Sequence, residues 1–142
     1  MLEFSVPKSK PEIPARWSKT EGEHHDLSDI LERVLASSPV LSLADGSVTI
    51  GWYGSRDVIR KKRIFLAWYC SDIRHIQVNR ILDQSWVPEY YLRYIVGHEV
   101  LHHLIPWEGR EFHSPTFVKA ETALPGYRRA VHWFEKNQAR LL

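Results

Sequence analysis

Residues 87–106 read VPEYYLRYIVGHEVLHHLIP, and no other stretch limits the possible folds as tightly. Pro88 suits the first turn of a helix and Pro106 ends one. Between them Leu92, Val96, Val100 and Leu104 recur every fourth position, the spacing of an apolar stripe that has to be buried. His98 and His102 fall on the opposite side, with Glu99 about 100° further round the axis. A helix buried by its back carries two imidazoles and a carboxylate into or near the interior, and groups of that kind are expensive to bury without partners. The fold must therefore form around this helix and give its histidines something to bind.

The chain has 142 residues, enough for one domain with a real core and too few for two ordinary ones. Six Trp, six Tyr and five Phe call for burial and argue against a disordered chain. A net charge of +2 favours neither obligate nucleic-acid binding nor a membrane-surface role. Cys70 is the single cysteine, which rules out an internal disulfide framework and a paired-Cys zinc module. The opening MLEFSVPKSKPEIP is charged and proline-bearing, with no signal-like apolar core, and no run is long enough to span a bilayer; a cytoplasmic location is expected.

Residues 1–25 read as a polar strap or tail, and 26–142 as the folded domain. Asp26 is placed to cap a helix whose face is Leu27, Ile30, Leu31, Val34 and Leu35, ending by Pro39. LADGS at 43–47 is a turn. Three strands are expected next: Val48, Ile50 and Trp52 in alternation, the unbroken apolar run 64–70 (IFLAWYC) as a central strand, and Ile76 and Val78 alternating with polar neighbours. The short links suit antiparallel pairing. After the long helix, Pro115 starts another that reaches about Leu124, and PG at 125–126 separates it from a last helix over 127–142.

HEVLH at 98–102 is an instance of HExxH. Two histidines at i and i+4 can share one zinc ion, and the intervening glutamate, displaced from the ligand face, can take a proton from a water beside it. Chance alone gives roughly 0.03 such matches in a chain of this composition, so the apolar back of the helix matters as much as the motif. A catalytic zinc takes three protein ligands. His113, just before Ser114-Pro115, and Glu121, two turns further on the same helix face, both suit the third place, and spacing does not choose between them.

QVNRILDQSWVPEYYLRYIVGHEVLHHLI (77–105), HSPTF (113–117) and LPGYRRAVHWF (124–134) together resemble the SprT-like zinc metallopeptidases and their short bacterial relatives. The resemblance implies a Zn²⁺ cofactor held by His98, His102 and His113, with Glu99 as general base acting on a peptide or protein substrate. It also implies an α+β, zincin-like domain: a small, mainly antiparallel three-stranded sheet packed on the HExxH helix, with an N-terminal helix and C-terminal helices. An extended substrate would lie along an exposed strand edge. The Cys-rich module of the DNA-associated members has no counterpart here.

Other residues carry weaker signals. Tyr127, Arg128 and His132 follow the ligand segment and are candidate donors to an oxyanion. His103 reads as core or as support to the ligands, His24 and His25 as solvated, His75 as surface or cleft wall, and Cys70 as a buried thiol. Arg56, Arg60, Lys61, Lys62 and Arg63 crowd the turn before the second strand, where a solvated hairpin end competes with a nucleic-acid contact. The alternative to a peptidase is a metal-stabilised binding module that uses this basic cluster. Oligomeric state is left open.

Overall fold

The computed structural model describes residues 13–54, 65–107, 110–111 and 113–142. The first twelve residues and the basic cluster at 56–63 lie outside the described residues. The described residues form a small α+β domain of five α-helices and one three-stranded mixed sheet. Helix α1 (Leu27–Ala36) starts as expected: the Asp26 side chain accepts from the backbone N–H groups of Ser28 and Asp29, a cap that contributes about 1 kcal/mol. A short α2 (Pro39–Ser42) follows, where only a stop was expected, because the Ser38 hydroxyl caps it and Pro39 fills its first position.

The sheet contains β1 (Thr49–Tyr53), β2 (Ala67–Cys70) and β3 (His75–Asn79), in the order β1-β3-β2. This corrects two expectations. The apolar run ending at Cys70 supplies an edge strand, with Phe65 64% and Trp68 38% exposed, and β3 is central. The sheet is mixed rather than mainly antiparallel, since β1 runs parallel to β3 while β2 is antiparallel to it. Ile76 and Val78 of β3 face the main core, yet His75 and Gln77 are buried too.

Residues 13–25 cover the β1 side of the second sheet face, which explains how His75 can be buried mid-sheet; the Gln77 Nε2 is buried with no hydrogen-bond partner among the described residues. The backbone runs along β1, where Trp52 N donates to Lys19 O at 2.8 Å and the Trp52 indole donates to Thr20 O. His75 is therefore a core histidine and not a surface one. Its Nε2 lies 3.0 Å from Trp17 O and its Nδ1 2.7 Å from Thr49 Oγ1, and burial pulls its pKa below the usual value. Asp83 holds the same segment further on, accepting from the backbone N–H groups of Glu23, His24 and His25. The His25 ring is half-buried against the carbonyls of Gln84 and Val87 rather than solvated, while His24 is exposed. Cys70 is only half-buried.

Gly51 makes this close approach feasible. A Cβ there would stand 1.7 Å from the Trp17 carbonyl oxygen. Gly51→Ala is thus expected to push the 13–25 segment off the sheet and destabilise the fold by about 1–3 kcal/mol, as overpacking does. Thermal unfolding and limited proteolysis ahead of residue 25 report on it; an unchanged melting temperature would contradict the contact.

The HExxH helix, α3 (Glu89–Leu104), lies at the centre. It packs against α1, β2, β3 and both later helices, α4 (Pro115–Thr122) and α5 (Tyr127–Leu141). Leu92, Val96 and Val100 are fully buried, as their stripe requires, and Leu104 is half-buried. Tyr91, Gly97, Glu99 and Leu101 are also buried, so α3 is covered on more than one side. Tyr91 packs at a tilt against Trp133 and stacks on Phe134, which holds α5 alongside α3. No helix among the described residues is long and apolar enough to cross a membrane.

Candidate metal centre

Three elements of local structure bring the site together. On α3, His98 and His102 are one turn apart and share a face. The second component is the start of α4, where Ser114 is buried and its hydroxyl accepts from Phe117 N at 3.2 Å while Pro115 occupies the first helical position. This cap sets the direction in which the chain enters the helix, and so places His113 opposite α3. The third is the Phe117 ring, fully buried, whose centroid lies 5.1, 4.4 and 4.9 Å from those of His98, His102 and His113.

The Nε2 atoms of the three histidines form a nearly equilateral triangle: 3.2 Å between His98 and His102, 3.1 Å between His102 and His113, and 3.2 Å between His113 and His98. The ring centroids are 4.9–5.0 Å apart, so each ring turns that nitrogen inward. Each Nε2 has one in-plane lone pair or one N–H and cannot bond both neighbours. Three such atoms facing a common point suit a shared cation. Nitrogens bound tetrahedrally about 2.0–2.1 Å from zinc are about 3.3–3.4 Å apart, close to the separations here. The three histidines can therefore hold a metal ion.

Glu121 does not join this triangle. Its Oε2 lies 2.9 Å from His98 Nδ1, on the far side of the ring, and its Oε1 accepts from the Tyr94 hydroxyl at 2.8 Å. An Nδ1–H donated to Glu121 leaves Nε2 of His98 as the lone-pair nitrogen, which fixes the tautomer a metal needs. Burial pushes the Glu121 carboxyl up, but the hydrogen bonds from His98 and Tyr94 outweigh it and leave the pKa below its ordinary value. Tyr94, missed in the sequence, stands one turn before His98 on the same face of α3; that i, i+4 relation was the available signal.

Burial lowers His102 to about 4, with His98 and His113 adding to the effect, and lowers His113 as well. Both shifts favour the neutral imidazole, the form that ligates metals. Glu99 is 6% exposed. Burial raises its pKa to about 7, against the pull of His98 and with a push from Glu121.

His103 points elsewhere, to Ser47 Oγ at 2.8 Å and Tyr69 OH at 2.6 Å. Of the candidate oxyanion donors, Tyr127 packs its ring 5.9 Å from that of Tyr94, one layer behind His98, whereas Arg128 and His132 are exposed on α5. None of the three lines the cavity that opens beside His98 and Glu99. Against known proteins, the chain matches no family model, no curated protein and no solved structure.

Proposed function

We propose that this protein is a zinc-dependent peptidase with a zincin-like domain. The observation that carries the reading is the imidazole triangle of His98, His102 and His113 with a buried carboxylate, Glu99, in the next position along α3. His98, His102 and His113 would hold the zinc, and three protein ligands is the count of catalytic rather than structural zinc. Bound zinc would supply a Lewis acid that acidifies water and polarises a carbonyl. Glu99 would take the proton from the attacking water and pass it to the leaving amine, work for which a carboxyl raised towards neutrality by burial is suited. Glu121 and Tyr94 would orient His98 from behind. Phe117 would support all three rings from one side.

Substrate access fits the same arrangement. Residues 13–25 lie along β1, whereas the cavity beside His98 and Glu99 is lined from β2, the opposite edge strand, and by none of residues 13–25. That part of the N-terminal strap does not cover it. The test is direct. The purified protein should carry about one zinc per chain and cleave an unfolded protein, with cleavage stopped by a chelator and restored by zinc. A zinc-loaded protein that leaves every unfolded substrate intact would overturn the reading.

A further inference from the structure

The cavity beside the triangle has a chemistry of its own. It measures about 330 Å³, within the range of sites that enclose a small ligand or a large side chain. Leu66 and Ala67 close it from the β2 side, Ile95 from α3, and Val131 and Phe134 from α5. His98 and Glu99 line it at one end, so the cavity adjoins one histidine of the triangle and the buried carboxylate. Tyr91 and Tyr94 also line it, and the Tyr94 hydroxyl is committed to Glu121. Among the described residues, no Lys, Arg or Asp lines it, and Glu99 is the single carboxylate.

From this adjacency the geometry points to a specificity pocket for a large apolar side chain, aromatic or leucine-like, on a residue flanking the bond that is cut. The inference rests on the peptidase reading and adds a substrate class to it. A small side chain would leave the apolar walls of Ile95, Val131 and Phe134 wetted. An acidic one would face Glu99. A basic one would find no carboxylate besides the group needed for proton transfer. Only an apolar side chain removes water from those walls without leaving a buried charge unpaired. The pocket draws on three elements far apart in sequence, which explains why no motif announces it.

Hydroxamates test the pocket separately from catalysis. Zinc-loaded protein would be titrated with acetohydroxamate and with 3-phenylpropanohydroxamate, which share a metal-binding head and differ in the benzyl arm. The arylated compound should bind roughly ten- to hundredfold more tightly. Ala67→Phe and Val131→Phe, which fill the cavity from opposite walls, should each reduce that ratio towards one; two variants guard against misfolding of either. In parallel, peptides with Phe or Leu beside the scissile bond should be cut at least tenfold faster, in kcat/KM, than those with Ala, Asp or Lys. An equal ratio in wild type and both variants, or no binding of either hydroxamate by a zinc-loaded protein, overturns the pocket. If the ratio behaves as stated but no peptide is cut, the pocket stands and the peptidase reading falls.

Discussion

Glu99→Gln should retain its zinc and lose peptide cleavage by about 10²–10⁴-fold, the range over which a positioned proton-transfer group contributes. The substitution keeps the shape of the side chain and removes only its ability to accept and return a proton. It should not unfold the protein, because the site already disfavours charge: burial raises the Glu99 pKa to about 7, and a neutral amide avoids that penalty. Nor should it release metal, since the triangle is made by His98, His102 and His113. Zinc content and the rate on an unfolded protein, measured on the same preparation, separate the outcomes. Full activity would remove Glu99 from the mechanism. Loss of zinc would make it a ligand, contrary to the geometry.

The sequence carried this part of the molecule well because the rules involved are local. An i, i+4 pair must share a helix face, and Ser114-Pro115 must start a helix, so His98, His102 and the entry to α4 follow from short-range geometry. The choice between His113 and Glu121 was not local. Both lie on the approach to α3, and only the assembled fold separates the inner nitrogen of His98 from its outer one. Strand order was the main failure. The run at 64–70 is apolar enough for a central strand, whereas His75 and Gln77 read as one wet face. At His75 that face is instead covered by a segment that lends the Trp17 carbonyl to the ring across the gap left by Gly51. Nothing in the spacing of β3 announces a cover supplied from about sixty residues upstream.

That separation of His98's two nitrogens supports the second prediction, a contrast between two residues of one short segment. His113→Ala should empty the site, leaving two nitrogens one turn apart on α3 and no third ligand. Glu121→Gln should keep the metal but bind it about 10–100-fold more weakly, the usual effect of removing a partner behind a ligating histidine. The amide oxygen can still accept from His98 Nδ1–H, but the negative charge that strengthens the bond and raises the basicity of the ring is gone. Competition with a chelator of known affinity measures both variants. A melting curve with and without zinc gives an independent readout, because a ligand that binds only the folded chain raises the transition with concentration. Wild type and Glu121→Gln should respond to added zinc and His113→Ala should not. The reverse pattern, with zinc lost from Glu121→Gln and kept by His113→Ala, would place the carboxylate on the metal. The 3.1–3.2 Å triangle argues for the first outcome: three imidazole nitrogens turned towards one point suit a cation between them, and Glu121 is bonded to the outer nitrogen of His98.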